Sequence, residues 1–177
     1  MVKHSAVPKE MHQAVLKARP FDCEEEAIDA ILHHRIQPGD AVLIRYEGPK
    51  GSGMPEMFYT TEAISSDPEL SASIALITDG RFSGASKDRP SAMCPPRPRR
   101  AGPSPWWRRA TSSSWTFPAG CCASGGLHGQ EATEEEITAE LARRKECWHP
   151  RPPKYTTGAL GLFTKNAVSP MKGGYMD

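Results

Sequence analysis

Residues 88 to 126 contain no leucine, isoleucine or valine, and this gap in the hydrophobic pattern limits where the chain can build a core. The stretch has one acidic residue, whereas arginines are set among prolines and tryptophans at 95–100 and 106–109. Such a segment buries too little aliphatic surface to offset the entropy of ordering its backbone. We therefore expect an aberrant, disordered segment between two folded parts, residues 1–87 and 127–177.

The first part carries alternating helix and strand signals. Asp22 is predicted to cap a helix, because Glu25 follows three residues later as in a capping box. Apolar residues then recur at helical spacing and predict one buried stripe: Ile28, Ile31, Leu32 and Ile36. Two short apolar runs, at 41–44 and 73–78, predict buried strands. This order of elements indicates the α/β class.

The last part returns to an ordinary composition. Thr133 and Glu136 form a second capping box, which predicts the start of another helix. Ile137 and Leu141 fall on one face of that helix and are predicted to be buried. The two flanking parts are thus expected to form one domain that is interrupted in its middle.

The bulk composition disfavours several classes of protein. A formal net charge of +1 favours neither nucleic acid nor a strongly acidic partner. No apolar run approaches the roughly 18 residues of a spanning helix, and the first residues lead into no hydrophobic segment. The five cysteines include no CxxC pair, and their odd number is typical of a reducing compartment. We therefore expect a cytoplasmic protein without a membrane span or secretory signal.

Three peptides in the first part carry the chemistry. Residues 45–51 read RYEGPKG, residues 53–57 read GMPEM and residues 78–84 read TDGRFSG. Each alone has an ordinary explanation, because a strand followed by Gly and Pro is usually a surface loop. A single motif such as the one around Ser83 supports only a hypothesis. The three peptides in this order are much more specific.

Together the three peptides resemble the C-terminal half of the dihydroxy-acid and sugar-acid dehydratase family, which includes phosphogluconate dehydratase. The resemblance begins at residue 2, lapses after Lys87, resumes near Gly126 and continues to the end. It implies a C-terminal domain in which a swivelling, mixed β-barrel is flanked by helices. It also implies a homodimer and a separate N-terminal catalytic domain that this chain lacks.

The same resemblance implies the dehydration of a 2,3-dihydroxy acid to a 2-keto acid. In this family Mg²⁺ holds the substrate's carboxylate and 2-hydroxyl, and an iron–sulfur cluster (2Fe–2S or 4Fe–4S) acts as Lewis acid on the 3-hydroxyl. Ser83 matches the serine that, as an alkoxide, removes the C2 proton. Glu56 matches a carboxylate ligand of Mg²⁺, a cation that prefers hard oxygen ligands.

A glycine-rich loop lies between these motifs and is predicted to contact the substrate. Gly48, Gly51 and Gly53 would let backbone N–H groups approach an anionic acid, with Lys50 beside them. The loop is one residue shorter than the family's common glycine-proline-glycine form. The substrate therefore stays open between the dihydroxy acid of branched-chain amino-acid biosynthesis and a sugar acid of the aldonate or phosphogluconate type.

The family's cluster-binding cysteines lie in its N-terminal domain, so the resemblance places no iron–sulfur ligand in this chain. Cys121 and Cys122 are adjacent and lack the spacing of cluster or zinc ligands. His33 and His34 occupy neighbouring helix positions and face different directions. We expect this chain to supply the base and one magnesium ligand, and to be inactive alone.

A shifted reading frame explains the middle stretch. Tryptophan has a single codon, so Trp106 and Trp107 are encoded TGGTGG. A one-base shift with permitted codon choices turns residues 106–117 into Leu-Val-Glu-Glu-Gly-Asp-Leu-Ile-Glu-Leu-Asp-Ile. Extended in both directions, the shift yields Gly-Pro-Ala-Ile-Gly-His-Val-Ser and Gly-Gly-Pro-Ile-Ala-Leu, which resemble what this family places after TDGRFSG. We infer that residues 88 to about 125 are translated out of frame.

A binding module is the alternative from another class. Arginines with interleaved tryptophans at 97–109 can grip single-stranded nucleic acid by charge and stacking. The flanks match an enzyme family, and the frame shift accounts for the unusual composition, so nucleic acid is the less favoured partner. Salt-dependent retention on a heparin column would discriminate between the two interpretations.

Overall fold

The computed structural model describes residues 14, 16–82, 91–93, 115–116, 123–124, 126–127, 130–147, 149, 151–168 and 172–177. Ser83 lies outside the described residues, as does most of the segment 88–126. The prediction that this segment is disordered therefore stays a prediction, as do the proposed boundaries at 87 and 127.

Four parallel strands form the main sheet, and they lie side by side in chain order. They are β1 (Lys17–Phe21), β2 (Asp40–Ile44), β3 (Ala75–Thr78) and β4 (Ser91–Met93). Two antiparallel pairs of very short strands follow: β5 (Trp115–Thr116) with β6 (Ala123–Ser124), and β7 (Gly126–Leu127) with β8 (Gln130–Glu131). The parallel sheet with its helices confirms the α/β class.

Within the described residues, five helices accompany the strands: α1 (Glu24–Leu32), α2 (Phe58–Ser65), α3 (Pro68–Ser73), α4 (Glu134–Glu146) and α5 (Gly158–Asn166). The first three connect consecutive strands of the sheet and contribute to one hydrophobic cluster with it. Val42 and Leu76 from the strands join Ile31 and Ile64 from the helices in this core. Burying each such side chain contributes about 1.5–3 kcal/mol. Among the described helices, none has both the length and the apolar character needed to cross a bilayer.

The first predicted helix cap is wrong. Helix α1 has Cys23 at its N-cap position, and the Cys23 side chain makes no capping hydrogen bond. The Asp22 carboxylate instead binds the Arg45 side chain, while the Asp22 N–H donates to Glu26 Oε2 at 3.1 Å. The Asp22 side chain, which local spacing assigned to the helix cap, is therefore used in a long-range ion pair with Arg45.

The predicted apolar stripe of α1 is only partly confirmed. Ile31 and Ile36 are buried, whereas Leu32 is 59% exposed. Ala27 and Ala30 complete the buried face instead. Adjacent residues on a helix point about 100° apart, so Leu32 cannot share the face that Ile31 presents to the core.

The second predicted strand begins two residues later than expected, at Ala75 rather than at residue 73. Ser73 belongs to α3, whose N-cap Asp67 accepts hydrogen bonds from Glu69 N and Leu70 N at 3.0 and 3.2 Å. Proline at the first helical position also favours this start. Helix α3 and its C-cap, Ile74, therefore occupy the two positions that were predicted to begin the strand.

The capping box before α4 is confirmed. Glu136 N donates to Thr133 Oγ1 at 3.3 Å, and Thr133 N donates to Glu136 Oε2 at 2.9 Å. Ile137 is buried as predicted, while Leu141 is half-buried. Both partners of this cap are three residues apart and exposed, so local spacing was sufficient to predict it.

Candidate active site

The carboxyl ends of three strands lie level at one edge of the sheet, because Phe21 pairs with Ile44 and Ile44 pairs with Thr78. Open parallel sheets bind ligands outside this edge. Two of the connections that leave it carry the candidate site: the glycine loop, residues 45–57, follows β2, and the aspartate loop, residues 79–82, follows β3. The predicted loop residues and Glu56 all belong to the first of these connections.

Asp79 joins the two loops. Its Oδ2 accepts a hydrogen bond from Tyr46 N at 3.0 Å, and its Oδ1 accepts one from Glu47 N at 2.9 Å. The residue is only 8% exposed. Burial raises the pKa of Asp79 to about 6, against the opposing effect of these two hydrogen bonds.

Glu47 fixes the glycine loop to helix α1. It is 1% exposed, and its Oε1 accepts a hydrogen bond from Glu24 N at 3.1 Å. Its other oxygen accepts a hydrogen bond from the Ser52 hydroxyl, which lies in the same loop. A buried acid thus satisfies an N–H in the first turn of α1 and closes the loop on itself.

Gly51 allows the chain to fold back on itself within the glycine loop. A Cβ at this position would lie 1.9 Å from the Tyr46 carbonyl oxygen, so no other residue fits without moving the backbone. Gly51 N and Ser52 N donate to Gly48 O at 3.0 and 3.1 Å. Tyr46 itself adopts the left-handed conformation, with φ of 64°. Two of the loop N–H groups are therefore used inside the loop.

The other predicted loop residues lie around this turn. Gly48 is buried, and Gly53 has φ of +84° and lies against the Leu160 side chain of α5. Lys50 is half-buried. Within the part of the chain that the structure describes, Lys50 makes no hydrogen bond or ion pair, so its ammonium group has no protein partner there.

Glu56 lies at the far end of the glycine loop and contacts the aspartate loop. Its Oε1 is 3.0 Å from Arg81 Nη1, and the carboxylate side chain is 43% exposed. Arg81 also binds the backbone on both sides of Glu56, since its Nε donates to Met54 O at 3.1 Å and its carbonyl accepts from Met57 N at 2.9 Å. The structure therefore brings Glu56 to the segment that leads into Ser83.

A magnesium ion fits this carboxylate only as one ligand among several. Among the described residues, no three His, Cys, Asp or Glu side chains form a group that could hold a metal ion. Glu56 offers a hard oxygen donor that is open to solvent, which matches the preference of Mg²⁺. The described cysteines, Cys23 and Cys147, are both free, and they belong to no group that could hold a metal ion or cluster.

Residues from the last part of the chain support the glycine loop from outside. Arg151 pairs with Asp22 at 3.0 Å and lies over the Tyr46 ring, with its Cζ 5.3 Å from the ring centroid. Lys154 N donates to Gly51 O at 2.8 Å, and its Nζ pairs with Glu25 at 2.5 Å. Residues 151–154 thus pack against the first part of the chain.

Sequence reasoning missed the acids that build this site. Asp79 and Glu47 both lie in quoted motifs, but no role was predicted for either. Their position was the available signal, because an acid directly after a buried parallel strand lies at the sheet's ligand-binding edge. Arg81, Arg151 and Lys154 carried no local signal, since their partners are far away in the chain.

Comparison with known proteins identifies the family. Residues 1–99 match the model of the dihydroxy-acid/6-phosphogluconate dehydratase C-terminal domain. The dihydroxy-acid dehydratase of Lachnoclostridium phytofermentans is 42% identical over 178 residues, which cover all of this chain and 30% of that protein. The dihydroxy-acid dehydratase of Lachnospira eligens is also 42% identical, over 98% of this chain and 29% of that protein.

A third relative, the dihydroxy-acid dehydratase of Moorella thermoacetica, is 39% identical over all of this chain and 30% of its own length. The chain therefore spans about 30% of the length of the curated relatives it matches. The family match covers more than half of the chain, and it includes all three motifs that define the site. This chain belongs to the dihydroxy-acid/6-phosphogluconate dehydratase family and corresponds to its C-terminal domain.

Proposed function

We propose that the chain is the C-terminal part of a dihydroxy-acid dehydratase, a hydro-lyase that converts a 2,3-dihydroxy acid into a 2-keto acid in branched-chain amino-acid biosynthesis. One observation carries the proposal: proteins named dihydroxy-acid dehydratase are about 40% identical to it along its whole length. The contact of Glu56 with Arg81, which stands two residues before Ser83, supports the same conclusion.

Two residues carry the chemistry in this proposal. The Ser83 side chain, ionised to an alkoxide, takes the proton from C2 of the acid and becomes the neutral hydroxyl, and the Glu56 carboxylate would be one ligand of Mg²⁺. Bound Mg²⁺ would supply positive charge for the acid's carboxylate and would lower the pKa of nearby hydroxyl groups. Arg81 pairs with Oε1 of this carboxylate, so a magnesium ion would share Glu56 with the guanidinium group or displace it.

Lys50 and the glycine loop bind the substrate's anionic end in this proposal. The half-buried ammonium group has no partner among the described residues, so it can pair with a carboxylate or phosphate without losing an existing contact. Gly48 and Gly53 let the backbone approach that anion, whereas Gly51, whose N–H already donates to Gly48 O, serves the fold-back of the loop. The family resemblance assigns the iron–sulfur cluster and the remaining magnesium ligands to the N-terminal domain, and this assignment is part of the proposal.

The complete enzyme is proposed to be a cytoplasmic homodimer whose C-terminal domain is a swivelling β-barrel. Strands β1 to β3 would form one side of that barrel. Residues 88 to about 125 are proposed to be out of frame because of their composition, and the family match ends within this stretch, at residue 99. A restored frame would replace this stretch with alternating apolar and acidic residues, a pattern typical of strands.

The test begins with the coding DNA, read from well upstream of Met1 through codon 130. We expect one continuous frame that encodes a cysteine-containing N-terminal domain and aliphatic residues between 88 and 125. The protein from that frame, prepared without oxygen and supplied with Mg²⁺, should form keto acid from 2,3-dihydroxy-3-methylbutanoate. Ser83→Ala should reduce its kcat at least a hundredfold while the cluster absorbance is unchanged.

The outcomes separate the two substrate classes. Faster turnover of gluconate or 6-phosphogluconate than of the branched acid would replace the first proposal by a sugar-acid dehydratase, which the shorter glycine loop already suggests. DNA that encodes residues 88–125 as they stand, with no upstream domain, would contradict both. The 177-residue product would then be expected to have neither cluster nor activity.

A further inference from the structure

We propose that Asp79 is a positioning residue: its carboxyl group fixes the glycine loop against the aspartate loop and thereby sets the distance between Lys50, Glu56 and the start of the Ser83 segment. The proposal rests on the proposed function only for the roles of those three residues. The positioning itself concerns the geometry of the two loops, and it can be measured without any activity.

The hydrogen-bond pattern calls for two acceptor oxygens at this position. Two adjacent N–H groups, those of Tyr46 and Glu47, point at the two oxygens of Asp79 at 3.0 and 2.9 Å. Asparagine has the same shape but only one acceptor oxygen, so its NH₂ group would face one of these donors. A buried donor left without an acceptor costs about 1–3 kcal/mol in general, so asparagine is a poor substitute here.

Asp79 is held without a cation. Among the described residues no lysine or arginine pairs with it, although it is only 8% exposed. The titratable group that acts on it is Glu47, which is also acidic and belongs to the glycine loop. A buried acid beside another acid is costly for the fold. A residue that is costly for the fold in this way is expected to have a function other than stabilising it.

The hydrogen bond from Tyr46 N to Asp79 lies where the backbone of the glycine loop is strained. Tyr46 has φ of 64°, a conformation that non-glycine residues adopt only when their surroundings impose it. Asp79 holds the N–H of that residue, and the Tyr46 carbonyl is the atom that fills the space beside Gly51. The hydrogen bond from Tyr46 therefore directs the fold-back of the whole loop.

The aspartate loop holds the glycine loop at both of its ends. Asp79 binds the start at Tyr46 and Glu47, and the Arg81 carbonyl accepts a hydrogen bond from Met57 N at the end. Gly80 lies against the loop as well, since a Cβ there would be 3.0 Å from Glu47 O. Lys50 and Glu56 lie between the two attachments. Loss of the hydrogen bonds to Asp79 would therefore free the start of the glycine loop while its end stays attached at Met57.

Amide hydrogen exchange of the complete 177-residue chain tests the proposal, with Asp79→Asn and a matched control, Asp40→Asn. Asp40 is also a buried aspartate at a strand end, but it lies at the amino edge of the sheet, where it binds Gln37 N and Arg19. We expect Asp79→Asn to accelerate exchange at residues 46–53 about tenfold or more. We expect Asp40→Asn to leave that loop unchanged.

A second measurement uses the unmodified chain, so the test does not depend on how the variant folds. If Asp79 holds the loop closed, opening exposes its carboxyl group, which then loses the raised pKa that burial gives it. Opening therefore releases a proton and becomes easier as the pH rises through about 6. Exchange at residues 46–53, corrected for its intrinsic pH dependence, should rise in that range, and the Asp79→Asn chain should show no such step.

Three results would overturn the proposal. They are loop exchange within twofold of the unmodified chain in Asp79→Asn, an equal acceleration throughout β1 to β3, or an unmodified chain whose loop exchange shows no step near pH 6. None of these bears on whether Ser83 and Glu56 act in a dehydratase. A failed keto-acid assay combined with the expected exchange pattern would contradict the proposed function alone.

Discussion

The two edges of the parallel sheet carry the same residue type in different surroundings. Asp40, at the amino edge, is 3% exposed and binds Arg19 Nε at 3.0 Å and Gln37 N at 3.0 Å. Asp79, at the carboxyl edge, is 8% exposed and binds only backbone N–H groups among the described residues. The amino edge of the sheet is therefore neutralised, whereas the carboxyl edge keeps an uncompensated acid.

This difference separates a stabilising contact from a functional one. At the amino edge Asp40 accepts from Gln37 N, which closes the turn before β2, and pairs with Arg19 of β1; no candidate site residue lies there. The carboxyl edge combines a buried acid, a strained tyrosine backbone and Lys50 without a described partner. Ligands bind at the carboxyl edge of parallel sheets, so the costly features collect where the substrate is expected.

Alanine substitution of one glycine at each edge should give the largest difference in the free energy of unfolding between the two edges. A Cβ on Gly39, in the turn before β2, would meet no atom within 4 Å, whereas a Cβ on Gly51 would lie 1.9 Å from Tyr46 O. We expect Gly51→Ala to lower the free energy of unfolding by about 3 kcal/mol or more, because backbone must move. Gly39→Ala should cost about 1 kcal/mol, through its φ of +84° alone.

Urea unfolding of both variants of the 177-residue chain measures this difference. Equal losses for the two alanine variants would show that the glycine loop rearranges freely. The carboxyl edge would then be no more tightly constrained than the turn at Gly39, and the comparison would fail.

The pH dependence of stability gives the next largest effect. The pKa of Asp79 is raised by burial from 3.8 to about 6, so the folded chain binds this proton more tightly than the unfolded chain. The stabilisation is complete below about pH 4 and is lost as the pH rises through 6. Relative to Asp79→Asn, the unmodified chain should lose about 2–3 kcal/mol of stability between pH 4 and pH 7.

Parallel urea titrations of the unmodified chain and Asp79→Asn at several pH values measure this difference. Asp79→Ala serves as a second variant, since it also lacks the titrating carboxyl group and should give the same slope against pH. A stability difference that stays constant with pH would contradict the assignment of the uncompensated acid to this edge.

The sequence predicts local features of the molecule well. The strand at 41–44 and the capping box of Thr133 follow from residues within a few positions of each other, and the structure confirms both. The family motifs likewise led to Glu56, whose carboxylate lies in the glycine loop next to the aspartate loop. Each of these depends on short-range spacing or on a contiguous peptide.

Long-range partners account for the features that the sequence did not predict. Asp22 was assigned to a helix cap, but Arg45, 23 positions away, binds it instead. Asp79 and Glu47 are 32 positions apart, so no periodicity could link them before the strands were aligned. An ion pair or hydrogen bond to a charged group outweighs a single helix cap, which is worth about 1 kcal/mol. Tertiary contacts therefore decide the positions that matter most for the site.

Substitution of one arginine at each edge should give the smallest difference in the free energy of unfolding. It tests whether the ion pairs of the two edges differ in strength. Arg19→Gln removes the cation that binds Asp40, whose side chain is 4% exposed, and we expect a loss of about 1.5–3 kcal/mol. Arg151→Gln removes an arginine that is 55% exposed from Asp22, which keeps Arg45, and we expect about 0.5 kcal/mol. Urea unfolding at low and high salt measures both, and salt should diminish only the Arg151 effect.

If Arg151→Gln proved as costly as Arg19→Gln, the ion pairs of the carboxyl edge would stabilise the fold as strongly as those of the amino edge. The fact that no described cation pairs with Asp79 would then not distinguish a functional edge from a stabilising one. A small Arg151 effect leaves the stability of the carboxyl edge to the hydrogen bonds of Asp79 and Glu47. The hydrogen bonds of Asp79 respond to pH rather than to salt, since this acid is almost fully buried and its pKa is raised to about 6.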